Sequence, residues 1–407
     1  MRTSWLALLL AACAAETSVS TDELTRSDAW PQLGFGPAHT SANPNETLLD
    51  VTNVAGLQLA WASTTGLRPG GVSVASGRAY VGSENNTLYA FDAVTGRRVW
   101  RAFAGNDIFD TPAAAYGHVY VISNDGWLYA AASRTGVVEW KADVHPYATA
   151  PIDTARFSPT VYNGMIYVAI GSRLFAFSAS GCGAATCQPA WYADLPIIVG
   201  SWQTAPAIGK GNVYVVGATP GNGSAIDLYA FSLAGCASSP CTPAWVTTLP
   251  ADYPTYVVPY GLVYHGGRIY LATNAALYST YADTGVRRWH RNLPCLGAPA
   301  ITGGVVYQPT SDGLVALEEA NVGRTIWQSP PAAGPAFTAA VANGVVYSSL
   351  GTDQRLSAFA VGCGSAGATC EPIWADDVGG SKQPPVIVGG MVFVGNDTTH
   401  ELRALSL

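Results

Sequence analysis

Charged residues are scarce in this chain: only 12% of its 407 residues are Asp, Glu, Lys or Arg, and lysine occurs at just three positions. The formal net charge is −7, and the sequence contains no run of Lys or Arg. Nucleic-acid binding depends on clustered basic side chains that neutralise phosphates. Because such clusters are missing, we predict that the protein does not bind nucleic acid.

Long hydrophobic runs are also absent after the N-terminus, although hydrophobic residues make up 49% of the chain. A membrane-spanning helix needs roughly 18 or more consecutive apolar residues. The apolar stretch Trp5–Ala12 is shorter than that and follows Arg2, which is the pattern of a signal peptide. We expect an exported protein whose body, residues 30–407, does not span a membrane.

The end of this apolar stretch permits two kinds of processing. Leu10–Cys13 resembles the bacterial lipoprotein box, in which Cys13 is lipidated and becomes the mature N-terminus. Ala12–Ala14 also satisfies the small-residue pattern of ordinary signal-peptide cleavage. In the first case residues 1–12 are a signal peptide, residues 13–29 are a flexible tether, and the N-terminal lipid makes the only membrane contact.

Catalytic and metal-binding motifs are missing as well. The sequence contains neither a G-x-S-x-G elbow nor a phosphate-binding loop, and its histidines follow no metal-ligand spacing. Those histidines are His39, His118, His145, His265, His290 and His400. Asp125-Gly126 and Asp312-Gly313 are typical of hairpin turns, with calcium ligation as the alternative. We assign no catalytic residue and expect neither a metal nor a cofactor.

Cysteine, by contrast, follows a pattern. Apart from Cys13, the chain has three close pairs and the single Cys295. The pairs are Cys182/Cys187, Cys236/Cys241 and Cys363/Cys370. Each pair could be half of a metal site, but no histidine lies nearby, and export favours disulfides. We predict three local disulfides that chiefly pin long turns on the rim, and a buried, unpaired Cys295.

The main feature that the sequence does contain is a repeat. Its clearest copy, GRAYVGSENNTLYAFDAVTGRRVW at residues 77–100, alternates strand-forming segments with turns and ends in a tryptophan. Similar copies recur about every 40 residues, which is typical of a β-propeller with about four strands per blade. The recurring tryptophans, which we expect to pack between blades, are Trp61, Trp100, Trp140, Trp191, Trp245, Trp289, Trp327 and Trp374.

Eight copies of the second strand predict eight blades, with seven as the alternative if a degenerate copy is counted wrongly. Trp61 precedes the first copy, whereas the last copy, Met391–Val394, has no tryptophan after it. We therefore predict that Leu57–Trp61 supplies the outer strand of the C-terminal blade. Such closure joins the two ends of the ring and removes exposed sheet edges. The predicted fold is a single all-β, eight-bladed propeller over residues 30–407.

The repeat and the opening AWPQLGFGPAHTSANP at Ala29–Pro44 resemble those of the pyrroloquinoline-quinone (PQQ) enzyme family. The resemblance covers roughly residues 29–407 and implies a quinoprotein-dehydrogenase-like propeller. In those enzymes the quinone stacks on adjacent paired cysteines, and Ca²⁺ is held by carboxylate and Asn side chains. This chain has no Cys-Cys pair and no C-x-x-C-H haem motif, so we expect a structural repeat that binds no PQQ. An exported propeller of this length is also similar to the lipoprotein subunit of the outer-membrane β-barrel assembly machinery.

Binding residues are expected where the innermost strands begin, because these approaches gather at one mouth of a propeller's central channel. The approaches are irregular here, and they carry aromatic and charged side chains suited to a protein loop or a sugar. The candidates are Asp110, Asp153, Arg156, Trp202 and Tyr256. Ordinary local packing of these residues is the alternative.

Three functional hypotheses follow. The first, which we favour, is an exported, lipid-anchored, monomeric propeller that serves as a non-enzymatic scaffold for an unidentified protein partner in the cell envelope. The second is a PQQ-dependent or other extracytoplasmic dehydrogenase. The third is a propeller that binds carbohydrate or cell wall.

Overall fold

The computed structural model of the protein describes residues 29–145, 158–196, 204–218, 225–236, 239–250, 257–321, 323–352, 355–377 and 382–407. These residues form eight antiparallel sheets of four main strands, each of which is one blade. The predicted all-β, eight-bladed fold is confirmed, and the seven-bladed alternative is wrong. The described helices are single 3-10 turns at Val54–Gly56 and Pro331–Ala333, and within the described ranges no helix could cross a membrane.

Each blade runs from an innermost to an outermost strand. Blade 1 contains β3 (Pro69–Ala75), β4 (Arg78–Ser83), β5 (Thr87–Asp92) and β6 (Arg98–Phe103), and blade 2 contains β7 (Ala113–Ala115), β8 (His118–Ser123), β9 (Trp127–Ala132) and β10 (Val138–Asp143). Blade 3 contains β11 (Thr160–Tyr162), β12 (Met165–Ile170), β13 (Arg173–Ser178) and β15 (Trp191–Asp194), and blade 4 contains β16 (Ala207–Gly209), β17 (Asn212–Ala218), β18 (Ala225–Ser232) and β19 (Trp245–Pro250).

The other half of the ring has the same order. Blade 5 contains β20 (Pro259–His265), β21 (Arg268–Thr273), β22 (Ala276–Tyr281) and β23 (Arg287–Asn292), and blade 6 contains β24 (Ala300–Thr302), β25 (Val305–Thr310), β26 (Gly313–Glu318) and β27 (Arg324–Gln328). Blade 7 contains β28 (Ala340–Ala342), β29 (Val345–Leu350), β30 (Arg355–Ala360) and β32 (Trp374–Asp376), and blade 8 contains β33 (Val386–Val388), β34 (Met391–Asn396), β35 (Glu401–Ser406) and β2 (Gln58–Thr64). Three two-residue strands add to these sheets: β1 (Ala42–Asn43), β14 (Thr186–Cys187) and β31 (Ala368–Thr369).

The ring closes between its first and last strands, as predicted. β2 pairs antiparallel with β35 in the sheet of blade 8, with Gln58 opposite Ser406 and Trp61 opposite Ala404. β2 ends at Thr64, three residues after the predicted end at Trp61. Its pairing with β35 shifts register between Leu59 and Trp61 and then continues to Thr64. Closure therefore joins segments from the two ends of the propeller within one sheet.

The recurring tryptophans lie where neighbouring blades meet. Except for Trp374 in blade 7, each packs against the turn between the third and fourth strands of the next blade. A Cβ added to the turn glycine would lie 2.6 Å from Trp100 at Gly136 and 2.5 Å from Trp245 at Gly285. Buried tryptophan thus requires a turn residue without a side chain, which explains why Trp and Gly recur together in the repeat. Trp374 is half-buried and packs against the core cluster that includes blade 8.

A second regularity joins the same interfaces. The indole N–H of Trp327 donates to a turn carbonyl of blade 7, and the hydroxyl of Tyr307 in the same blade has no partner among the described residues. Between blades 2 and 3 the roles are exchanged: the Tyr120 hydroxyl donates to a turn carbonyl, and the Trp140 indole N–H is unpartnered within the described chain. At each of these two interfaces, one turn carbonyl therefore accepts a hydrogen bond from one of the two aromatic side chains.

The cysteine pairing is as predicted. The disulfides are Cys182–Cys187, Cys236–Cys241 and Cys363–Cys370, and Cys295 is free and buried. Each of these disulfide loops connects the third and fourth strands of its own blade.

The second cysteine of each pair also makes contacts beyond its own turn. Cys370 is only 1% exposed and belongs to the core cluster that contains Trp327 of blade 6. Its amide donates to the carbonyl of Gln328 on the outer strand of that blade at 2.8 Å. Cys187 and Cys241 are buried as well. The reason is that a half-cystine is a small apolar group, which gains stability when it leaves water and packs between two blades.

The loops therefore cover the outer edges of neighbouring blades. β14, which contains Cys187, pairs in parallel with the outer strand of blade 2, and β31, which precedes Cys370, pairs in the same way with that of blade 6. The amide of Cys241 likewise donates to Tyr192 on the outer strand of blade 3. Each disulfide loop thus joins its own blade to the preceding one.

Candidate binding site at the channel mouth

The segment of residues 30–43, the lead-in segment, contacts the innermost strand of every blade in turn. Each partner is the penultimate residue of its strand, and the bonds use backbone groups except at Gln32 and Asn43, whose side-chain amides take part. The contacting pairs are Trp30/Val74, Pro31/Ala114, Gln32/Val161, Pro37/Ile208, Ala38/Tyr264, Thr40/Ile301, Ser41/Val341 and Asn43/Ile387. The lead-in segment therefore crosses the end of the channel at which the innermost strand of each blade turns into the second strand. We call this layer of residues 30–43 the floor of the channel.

The lead-in segment is compact because it turns sharply on itself. Gly34 has a φ of +65°, and a Cβ at this position would lie 2.5 Å from the Cα of His39. The amide of Ser41 donates to the Gly34 carbonyl at 3.0 Å, which closes the turn. Only glycine satisfies both the left-handed backbone and the close approach.

His39 is the titratable side chain of this floor. Its side chain is buried, and Nε2 lies 3.1 Å from the Thr160 hydroxyl of blade 3. Burial lowers the pKa of His39 to about 4, opposed in part by a hydrogen bond to the backbone of Leu262 in blade 5. The imidazole is therefore neutral at pH 7 and links two blades through the channel.

Above the floor, the channel opens into a cavity of about 60 Å³. Its described walls come from the starts of innermost strands, and the charged side chains among the described lining residues are Asp110 and Lys382. The Lys382 ammonium lies 5.8 Å from the centre of the Phe337 ring, which is a cation–π distance. Thr204 is buried against the cavity, and its hydroxyl has no hydrogen-bond partner among the described residues. The cavity thus offers a few polar groups on a largely apolar wall.

The structure places one predicted mouth residue at this site. Asp110 lines the cavity and is 7% exposed. The other four candidates, Asp153, Arg156, Trp202 and Tyr256, lie outside the described residues. Their described neighbours Ser158, Thr204 and Tyr260 line the cavity, so the approaches to the innermost strands converge at one mouth.

Sequence reasoning missed His39, Thr204 and Lys382. His39 belongs to the opening AWPQLGFGPAHTSANP, whose concentration of Gly and Pro signals a fixed backbone path, but not its position in the channel. Lys382 is one of only three lysines in the chain. This rarity is the feature of the sequence that could have singled it out as a site residue.

These residues do not fit a quinone with its metal ion. A Ca²⁺ site takes six to eight oxygen ligands with several carboxylates, whereas the described wall of the cavity presents one carboxylate, that of Asp110. Within the described residues there is no group of three or more His, Cys, Asp or Glu side chains that could hold a metal. The cavity of about 60 Å³ is also well below the roughly 300 Å³ of the smallest ordinary ligand pockets.

Comparison with known proteins places the chain in a broader context. A family model described as "outer membrane protein assembly factor BamB" matches residues 46–219 and 244–351. Curated proteins of that name from Yersinia pestis and Burkholderia pseudomallei are 23% and 25% identical over 64% and 70% of this chain. The matches span 63% and 62% of those relatives, which is less than two-thirds of their length.

Among solved structures, the quinohemoprotein alcohol dehydrogenase from Comamonas testosteroni is similar with a TM-score of 0.70. The superposition covers 95% of this chain and 82% of that enzyme, at 15% identity. Similarity at this level of identity establishes a common propeller fold. It does not transfer the enzyme's chemistry, because the same fold supports many functions.

Proposed function

This chain belongs to the family described as outer membrane protein assembly factor BamB, and on that premise we propose that it is a non-enzymatic scaffold in outer-membrane protein assembly. In this role the propeller binds a protein partner in the cell envelope. The family match extends from residue 46 to residue 351, with one gap within blade 4, and it ends within blade 7.

The observation that carries this proposal is the floor made by the lead-in segment. Hydrogen bonds between residues 30–43 and all eight innermost strands hold this floor in place, and the described cavity above it measures about 60 Å³. A protein built in this way offers most of its binding area on the outer faces and edges of its blades. Such surfaces suit protein partners, since stable interfaces take roughly 800 Å² from each side.

We also propose that the protein works outside the cytoplasm, attached by a lipid on Cys13. The three disulfides support export, because such bonds persist in oxidising compartments. Cys13 and the preceding residues lie outside the described residues, so this anchor rests on the sequence pattern. Cys13→Ser should move the protein from the membrane fraction to the soluble fraction, and wild type should incorporate labelled lipid. Unlabelled wild type would favour ordinary signal-peptide cleavage.

The scaffold role can be tested by affinity purification of the full-length chain from detergent-solubilised envelopes of its host, followed by quantitative identification of co-purifying proteins. We expect a stoichiometric outer-membrane assembly component, and fewer folded outer-membrane proteins when the gene is deleted. A tagged, unrelated exported lipoprotein is the control. Recovery of polysaccharide alone, or of no envelope protein, would contradict the proposal.

A further inference from the structure

The disulfide loops show how a segment of this propeller can cover the outer edge of a neighbouring blade. At blade 2, Thr186 and Cys187 lie opposite Lys141 and Ala142 of β10 in a parallel pairing. Cys187 is buried in the cluster between blades 2 and 3. An extended segment thus pairs with the outer strand and places a small apolar side chain between two blades. Blades 3 and 6 carry similar covers.

Blade 1 has the same kind of edge without a cover. β6 pairs on one side with β5 and ends its sheet. The connection between the third and fourth strands of blade 2, which would have to provide the cover, is a short turn at Ser133–Val137 rather than a disulfide loop. No described segment pairs with the outer edge of β6, so its backbone groups there are available to another strand.

A small apolar notch of about 10 Å³ lies beside this edge, between blades 1 and 2. Ala102, which is equivalent to Ala142 of blade 2, forms one wall, and Tyr129, Ala131 and Val138 contribute to the other. Ala131 occupies the position that is Phe177 in blade 3. The notch exists because blade 2 has a methyl group where blade 3 has an aromatic ring.

At three other uncovered edges, those of blades 4, 5 and 8, a polar side chain occupies the position of Ala102. The residue equivalent to Ala102 is Thr247 in blade 4, Arg291 in blade 5 and Ser63 in blade 8. Each of these donates a hydrogen bond to a turn carbonyl of the next blade. At the blade 1 edge, by contrast, this position is an alanine beside an apolar notch, next to a strand that no described segment covers.

The edge of blade 1 also carries positive charge on a chain whose net charge is −7. Arg98 and Arg101 on β6 are exposed, and no described carboxylate forms an ion pair with either. Phe103 is 62% exposed beside them, with the Arg101 guanidinium 5.1 Å from the centre of its ring. Carboxylates of a partner would complement this surface.

We propose that the outer edge of β6 docks an extended segment of a partner protein, in which acidic residues flank a small apolar residue. The segment adds to blade 1 as a fifth strand, its apolar side chain enters the notch at Ala131, and its carboxylates pair with Arg98 and Arg101. Strand addition of this type obtains affinity from the main chain and selectivity from alternate side chains. This inference rests on the proposed function and specifies the surface that binds the partner.

The test uses the full-length protein and a fluorescein-labelled peptide that alternates Val and Thr between Glu residues, with a Lys-for-Glu version as its counterpart. Fluorescence anisotropy should show saturable binding of the acidic peptide, at least about tenfold tighter than that of the basic one. Ala131→Phe, which copies blade 3, and Ala102→Thr, which copies blade 4, should each weaken binding about tenfold. Paired Arg98→Glu and Arg101→Glu changes should reverse the preference for peptide charge.

Arg287→Glu is the matched control, because Arg287 is exposed at the equivalent position of blade 5. It should leave affinity unchanged. Absence of saturable binding by wild type, or unchanged affinity in variants that melt as wild type does, would overturn the docking edge. Undiminished recovery of the envelope partner by Ala131→Phe would also overturn it and leave the scaffold role intact. Peptide binding without any envelope partner would support the edge and contradict the scaffold role.

Discussion

Trp61 lies directly against Gly96. Trp61 is on the strand that closes blade 8, and Gly96 is in the last turn of blade 1, with a φ of +68°. A Cβ added to Gly96 would lie 2.5 Å from Cδ2 of the indole, and the indole N–H donates to the nearby Ala93 carbonyl at 3.1 Å. The joint between the ends of the ring therefore uses the same Trp–Gly contact as the interfaces at Trp100 and Trp245.

Gly96→Ala should destabilise the protein by more than its backbone conformation alone explains. A left-handed backbone costs an alanine about 1–2 kcal/mol, and the collision with Trp61 adds to that cost. Gly77→Ala is the matched control, because Gly77 has a φ of +72° and nothing within 4 Å of an added Cβ. Chemical denaturation of both variants measures the difference. Equal losses of unfolding free energy in the two variants would mean that the Trp61 indole moves aside at no energetic cost.

Removal of Leu402–Leu407 should unfold the protein out of proportion to the length removed. This deletion takes away most of β35, which pairs with β34 on one side and with β2 on the other. The ring then loses its closing sheet and exposes two edges. Thermal unfolding measures the effect, and deletion of the exposed Leu407 alone should leave the melting temperature unchanged. A truncated chain that melts within a few degrees of the parent would contradict closure as a main source of stability.

Cysteine mapping should recover three short-range disulfides and one slow thiol. Cys295 is buried, and burial raises its pKa to about 12, so the reactive thiolate is scarce at neutral pH. Iodoacetamide should label Cys295 in denaturant and not in the native protein. Peptide mapping under non-reducing conditions identifies the links. A link between different blades, or rapid native labelling of Cys295, would contradict this assignment.

Stability should fall as the pH drops from about 6.5 to about 4, partly through His39. Burial lowers the pKa of His39 from 6.5 to about 4 in the folded protein. Between these values the unfolded chain binds a proton that the folded chain excludes, so acid favours unfolding. The contribution is fully present above pH 6.5 and amounts to about 3 kcal/mol at most.

His39→Asn removes this titration and keeps a residue type that tolerates the positive φ of 58°. The free energy of unfolding of this variant should vary less between pH 6.5 and 4 than that of the wild type. Denaturant melts at several pH values provide the measurement, and His290→Asn is the control on the outer strand of blade 5. Parallel pH profiles for the wild type and His39→Asn would show that folding does not lower the pKa of His39.

PQQ with Ca²⁺ should not bind at micromolar concentration, nor should the mixture reduce dyes with alcohols or sugars. The described cavity presents a single carboxylate, and the chain lacks the adjacent cysteines on which the quinone stacks in the related enzymes. Burial of the cofactor's carboxylates without partners would be costly. Isothermal titration and a dye-reduction assay test this, with a quinoprotein dehydrogenase as positive control. Saturable binding with turnover would make the dehydrogenase hypothesis the better one.

Much of the fold could be predicted because its information is local. Within about 40 residues, alternating side chains specify strands and glycines specify turns, and the offset between Trp61 and Met391–Val394 identified the closing strand. The disulfide partners also followed from short spacing. The burial of Cys370 and the cover that these loops place on neighbouring blades did not follow, since the bond from Cys370 to Gln328 joins two separate repeats.

The sequence alone therefore determined the all-β class, the number of blades and the closing strand, because each follows from periodicity or from counting copies. Only the tertiary structure decided what occupies the channel and which uncovered edge lies beside an apolar notch. Asn43 meets Ile387 across 344 residues, and the notch at Ala131 exists only where two blades face each other. Such contacts depend on how the closed ring places distant backbones, and no local pattern in the chain encodes them.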